Sequence, residues 1–106
     1  MVDLLDRRRG LSSGVAFKPP CRLATTANIT LSGLQTVDGV VTVANDRVLV
    51  KDQTDENDNG IYAADTGPWV RTPDLNSTRD FVDGTLVLVT AGTVNAGVIY
   101  QLSPIT

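Results

Sequence analysis

Residues 34–51 read Leu34-Gln35-Thr36-Val37-Asp38-Gly39-Val40-Val41-Thr42-Val43-Ala44-Asn45-Asp46-Arg47-Val48-Leu49-Val50-Lys51, and this stretch decides the fold class. Leu34–Val37 leads into Asp38-Gly39, a pair that tolerates the positive φ angles of a tight hairpin turn, and Val40-Val41-Thr42-Val43 returns as the second arm. Asn45-Asp46 turns the chain again. Arg47-Val48-Leu49-Val50-Lys51 is the clearest strand, with Val48 and Val50 facing one way and Leu49 the other.

The same pattern extends in both directions. Upstream, Ala24–Leu31 alternates loosely, with Ile29 and Leu31 on one face, and Ser32-Gly33 turns it. Downstream, Asp52–Asn59 is a polar loop closed by Asn59-Gly60, and Ile61-Tyr62-Ala63-Ala64 pairs back on the Arg47–Lys51 strand. Gly67-Pro68 turns into Trp69-Val70-Arg71, and a connection rich in turn formers runs from Thr72 to Arg79. Asp83-Gly84 predicts a further hairpin turn before Thr85–Thr90, and Val98–Leu102 supplies the last strand. The chain has 14 Val and 13 Thr, residues that suit a pleated, half-buried surface. A helix is conceivable only over residues 2–9, where Gly10 ends it. The expectation is an all-β domain over 24–106: a small antiparallel barrel or sandwich of about six to eight short strands.

Residues 1–23 have a different character. Val2, Leu4 and Leu5 precede Asp6 and Arg7-Arg8-Arg9, after which Gly10, Ser12, Ser13 and Gly14 loosen the backbone. Lys18-Pro19-Pro20 imposes extended geometry, because each ring fixes φ and restricts the residue before it. Leu4, Leu5, Leu11, Val15 and Phe17 are too apolar for a purely solvated tail. The segment is therefore expected to be an extended anchoring arm that gains order by burying these side chains on a partner, with Arg7, Arg8 and Arg9 pairing with an acidic surface.

At 106 residues the chain has the length of one domain, and nine basic against twelve acidic residues give a net charge of −3 that does not favour wrapping nucleic acid. Without a histidine, imidazole acid–base catalysis is excluded and a zinc site is disfavoured. The single Cys21 excludes an internal disulfide. No apolar run approaches bilayer-spanning length, and the amino end has acids ahead of its basic cluster and no apolar stretch behind it, unlike a signal peptide.

Each candidate chemistry meets a stronger plain reading. Asp55-Glu56-Asn57-Asp58-Asn59-Gly60 imitates the start of a calcium loop, yet the twelfth position is Thr66 rather than Glu, and strands flank it where helices are required. The serines have no base to activate them. A pair of carboxylates could serve a glycosidase, but the few aromatics do not furnish a sugar groove. The sequence thus predicts no enzyme, no metal and no cofactor. Trp69, the only tryptophan, is expected in the core. Arg71, two residues on, shares its strand face and is expected to pair with Asp74 or Asp46. A carbohydrate-binding module recognising host surface polysaccharide is the alternative; it would present Trp69 with Tyr62 or Tyr100 on one exposed face.

From Ala24 to Tyr100 the residues carry a resemblance. The motifs are Ala24-Thr25-Thr26-Ala27-Asn28-Ile29-Thr30-Leu31-Ser32-Gly33-Leu34-Gln35, Val37-Asp38-Gly39-Val40 and Asp46-Arg47-Val48-Leu49-Val50-Lys51-Asp52-Gln53. They continue through Asn59-Gly60-Ile61-Tyr62, Trp69-Val70-Arg71, Asp74, Gly92-Thr93 and Asn95-Ala96-Gly97. In this order they resemble a small β domain that recurs in structural proteins of tailed bacteriophages and gene transfer agents, often in tail-fibre, spike and other appendage proteins. Asn45 departs from the pattern, since the family often has Gly before the Asp-Arg pair.

The resemblance implies a virion protein, made in the bacterial host cytoplasm, with no catalytic residues to carry over. It implies the base or attachment module of an appendage, tail fibre or head spike, used for host adsorption. Its partners would be capsid or tail and baseplate proteins held through the amino-terminal arm. A homo-oligomer, trimer or pentamer, is expected, and host glycan would be met through a more distal region if the native chain continues beyond Thr106. Asp46, Arg47, Asn59, Gly60, Trp69 and Arg71 would serve as structural core and turn residues.

Overall fold

A computed structural model describes residues 16–73 and 85–102. The strands among them are β1 (Ala16–Phe17), β2 (Leu23–Ala24), β3 (Thr36–Val37), β4 (Val40–Val41), β5 (Arg47–Val50), β6 (Gly60–Ala63), β7 (Val70–Arg71), β8 (Thr85–Leu88) and β9 (Ile99–Leu102). They form a four-stranded sheet in the order β2-β5-β6-β7, a three-stranded sheet β1-β8-β9, and the hairpin β3-β4. The domain is all-β, and these sheets do not close into a barrel.

The β5-β6 hairpin is the spine, pairing Arg47 with Ala63 through to Val50 with Gly60. Its alternation sorts side chains between two clusters. Leu49 and Ile61 meet Cys21, Ala24, Val87 and Val89 where the two larger sheets face each other, with Tyr100 packed alongside. Val48, Val50 and Tyr62 point the other way, into a cluster with Leu23, Val37, Ala64 and Trp69 that Ile29, Leu31, Val40 and Ala91 help to cover. The four-stranded sheet is therefore buried on both faces, which is why Val48, Leu49 and Val50 are all buried in succession. Each such aliphatic side chain contributes about 2 kcal/mol on burial.

Turn chemistry fixes the hairpin β3-β4 as the sequence predicts. Asp38 and Gly39 both take positive φ, at 49° and 80°, and Val37 faces Val40 across them. Asn45 also lies in the left-handed region, at φ 72°. Asn is among the few residues besides Gly that adopt this conformation readily.

Two features differ from the sequence reading. First, part of the pairing is parallel. β1 runs parallel to β8 and β2 parallel to β5. Second, residues 16–23, expected to order only against a partner, pair within the domain. The Lys18 and Cys21 amides donate to the Leu86 and Leu88 carbonyls, Arg22 donates to Arg47, and Ala91 donates back to Arg22. Cys21 and Leu23 are fully buried. One extended segment thus stitches the two larger sheets together.

The prolines leave a mark on that segment. Phe17 faces Leu86, whereas Cys21 faces Val89, so the amino-terminal side carries one extra residue. Pro19 and Pro20 lie in the interval, and with no N–H to donate they fit a bulge better than a regular ladder. The other arm residues expected to dock, Leu4, Leu5, Arg7, Arg8, Arg9, Leu11 and Val15, lie outside the described residues, as do residues 2–9 and the Asp83-Gly84 turn.

The strand expected over Ala24–Leu31 stops after Ala24. Beyond it side chains hold part of the backbone, alongside the Thr25 N to Leu49 O and Trp69 N to Leu31 O bonds. The Gln53 amide accepts from Ile29 N at 2.9 Å and donates to Ile29 O at 2.9 Å, standing in for a neighbouring strand. Asn28 Oδ1 accepts from Thr54 N at 2.7 Å. No described helix is long and apolar enough to cross a membrane.

Candidate functional site

The structure places the six residues expected to be structural in three groups. Asp46 and Arg47 stand at one end of the β5-β6 hairpin. Asp46 accepts the Val43 amide at 2.8 Å and forms an ion pair with Arg22, while Arg47 Nε donates to Pro19 O at 2.9 Å. Both arginines therefore tie the entering segment to the Asn45-Asp46 turn.

Asn59, Gly60 and Arg71 meet at the opposite end. Asn59 Oδ1 accepts from Gln53 N at 2.9 Å, and the Asn59 carbonyl accepts from Arg71 Nη1 at 2.9 Å. Arg71 also donates to the Asn57 carbonyl and lies 5.1 Å from the centroid of the Tyr62 ring. A side chain at position 60 would run into that guanidinium, so the glycine is required by close approach. Asp46, expected as an Arg71 partner, is engaged by Arg22 instead, and Asp74 lies outside the described residues.

Several groups of the 52–59 loop are bonded within the domain. A 3-10 turn over Glu56–Asp58 is capped by Asp55, whose side chain accepts from Asn57 N at 3.0 Å. Asp52 accepts from Thr25 Oγ1 at 3.1 Å and pairs with Lys51 at 3.0 Å. Tyr62 donates its hydroxyl to the Asp58 carbonyl at 2.7 Å. Burial pushes the Tyr62 phenol above its ordinary pKa, with Arg71 opposing and Asp58 reinforcing the shift.

Trp69 is 6% exposed, and its indole N–H donates to Gly33 O at 3.0 Å. Tyr62 is 5% exposed, and the Tyr100 hydroxyl is taken by Asn95 Oδ1. These are the aromatics that the carbohydrate-binding alternative would need together on one exposed face; Trp69 and Tyr62 are buried and Tyr100 is half-buried.

Sequence reading missed the residues that join distant loops. Asp38 was visible only as a turn former. Its carboxylate accepts the amides of Val94 at 3.0 Å and Asn95 at 2.8 Å, while its own carbonyl accepts from Thr93 N at 2.9 Å. Asn95, buried, passes the connection on to Ala24 O through its Nδ2. Gln35 and Thr42 clamp the base of the β3-β4 hairpin: the Thr42 hydroxyl accepts from Gln35 N at 2.9 Å and donates to Gln35 O at 3.0 Å. Asx-type side chains beside tight turns signal such use, but nothing local names the segment they will reach.

While polar groups turn inward, several large apolar ones turn outward: Phe17, Leu34, Val41, Val43, Val70, Val94 and Ile99. Phe17, the described member of the expected docking set, is 62% exposed on β1. Among the described residues these exposed apolar side chains are the candidate functional feature. Compared with known proteins, the chain matches no family model, no curated protein and no solved structure.

Proposed function

We propose that this chain is a structural component of a phage or phage-like virion, forming the base or attachment module of an appendage, tail fibre or head spike, that serves host adsorption. The reading begins from the resemblance of the Ala24–Tyr100 motifs. One observation supports it further: many polar side chains in the described part of those motifs make internal hydrogen bonds. The side chains of Gln35, Asp38, Asp46, Gln53, Asn59, Trp69, Arg71 and Asn95 each bond to a group elsewhere in the domain. A domain built this way holds its shape and offers neighbours apolar side chains and strand edges.

The testing experiment is detection of the chain in purified particles by mass spectrometry and by antibody labelling of intact particles. The expected result is a fixed number of copies at one site on the particle, with loss of adsorption when the chain is deleted. Particles that lack the chain, or that adsorb normally without it, would overturn the proposal.

A further inference from the structure

Residues 16–25 cross from one sheet to the other. β1 lies at the edge of the three-stranded sheet beside β8, and β2 at the edge of the four-stranded sheet beside β5. β8 and β5 are each paired on their other side within a hairpin, β8 with β9 and β5 with β6. On one side of the crossing Lys18 and Cys21 donate to the Leu86 and Leu88 carbonyls, and Thr90 and Ala91 donate to Cys21 and Arg22. On the other side Arg22 and Thr25 donate to Arg47 and Leu49. The seam between residues 26–73 and 85–102 is also closed by Asp38, whose carbonyl accepts from Thr93 N and whose carboxylate accepts from Val94 N and Asn95 N.

The crossing segment has natural limits. Pro19 and Pro20 are exposed and have no amide to donate. Cys21, Leu23, Ala24 and Thr25 are buried, and Thr26, Ala27 and Asn28 are exposed again. Past them the chain is fixed by Asn28 Oδ1, which accepts from Thr54 N, and by Gln53 at Ile29. Both of its strands are two residues long, both lie on sheet edges, and both run parallel to their neighbours, the weaker kind of pairing. Segments of that description open ahead of the rest of a fold.

We propose that residues 16–25 are a releasable strap. They lift from the seam as one unit, hinging at residues 26–28, while β5-β6, β8-β9 and the Asp38 contacts stay closed. Lifting takes Cys21 and Ala24 out of one core cluster and Leu23 out of the other. It bares a slot floored by Leu49, Val87 and Val89, with the Arg47, Leu49, Leu86 and Leu88 carbonyls released as acceptors. Apolar side chains beside unpaired backbone groups are the chemistry that receives an extended strand. The strap is a property of the domain and holds whether or not the domain sits on a particle.

Cys21 is the only cysteine and lies fully buried within the strap, so its thiol reports release. The test is the rate at which a thiol reagent modifies Cys21 in the full-length chain under native conditions. Dividing it by the rate in the urea-unfolded chain gives the open fraction, which is compared with the unfolded fraction from urea denaturation. The open fraction should exceed the unfolded fraction at least tenfold. Hydrogen exchange should show the Lys18, Cys21, Arg22, Thr25, Thr90 and Ala91 amides opening together with Cys21, ahead of the β5-β6 ladder. Tyr62→Phe removes a bond to Asp58 O that stays closed when the strap lifts. It should raise the unfolded fraction about fivefold and leave the Cys21 rate unchanged. An open fraction equal to the unfolded fraction, or a Cys21 rate that rises with the unfolded fraction in Tyr62→Phe, would overturn the strap. The wild-type comparison decides the matter even if Tyr62→Phe does not alter stability.

Discussion

The carboxylate of Asp38 accepts the backbone amide of Asn95 at 2.8 Å, a bond between residues 57 positions apart. It ties the β3-β4 turn to the loop ahead of β9, and through Asn95 to Ala24 and Tyr100. A residue chosen for its turn thus also organises the tertiary structure.

Replacing Asp38 should separate these two roles. Asp38→Gly keeps the positive φ but loses the carboxylate, and should cost about 2 kcal/mol, the value of a charge-assisted bond whose amide partners lose their acceptor. Asp38→Ala should cost about 1 kcal/mol more, because alanine also strains the left-handed turn. Urea denaturation of the two variants measures both; equal losses would deny the backbone contribution.

Gly92 faces the same carboxylate. Its φ is +116°, and a methyl group there would collide with Asp38 Oδ2. Gly92→Ala should destabilise the domain by about 2–3 kcal/mol through strain and collision together. In an Asp38→Gly background the collision disappears and the strain remains, so the penalty should shrink without vanishing. A double-mutant cycle by thermal denaturation reads the difference.

Gln53→Ala should leave both polar groups of Ile29 unpaired, at a cost of about 2 kcal/mol. Gln53→Glu keeps an acceptor for Ile29 N but turns a carboxylate toward Ile29 O, so its stability should fall as pH rises through the carboxyl range near 4. Hydrogen exchange at the Ile29 amide should speed up in Gln53→Ala.

Tyr62 should make the domain sensitive to alkali. Its phenol pKa is raised in the folded state, mainly by burial, so folding favours the protonated form. That contribution is complete below the ordinary pKa of 10.0 and is lost as pH rises through the folded value. Tyr62→Phe should cost about 1 kcal/mol at neutral pH, by losing the bond to Asp58 O, and should flatten the decline of Tm above pH 10.

Trp69, the only tryptophan, should report its own burial. Its emission should be blue-shifted and weakly quenched by acrylamide, and added host polysaccharide should leave it unchanged. Strong quenching, or a spectral response to glycan, would return the carbohydrate-binding alternative to consideration.

The all-β class was legible because its signals are local. Asp38-Gly39 fits a positive-φ turn whatever surrounds it, and the alternation of Val48, Leu49 and Val50 divides them between two faces in any sheet. The β5-β6 hairpin, with its polar loop ending at Asn59-Gly60, was readable for the same reason. The inward place of Trp69 follows from its size and apolar character.

Tertiary structure alone decided the parallel pairing of residues 16–24, the substitution of Gln53 for a strand beside Ile29, and the reach of Asp38 to Asn95. Each joins segments far apart in the chain, and the groups involved bond equally well to many partners. A hydrogen-bond donor or acceptor states what it needs, and only the packed arrangement determines which distant group supplies it. Turns and alternation are written into neighbouring residues, whereas the stitching of the sheets exists only once Cys21, Ala24, Leu49 and Val87 are buried together.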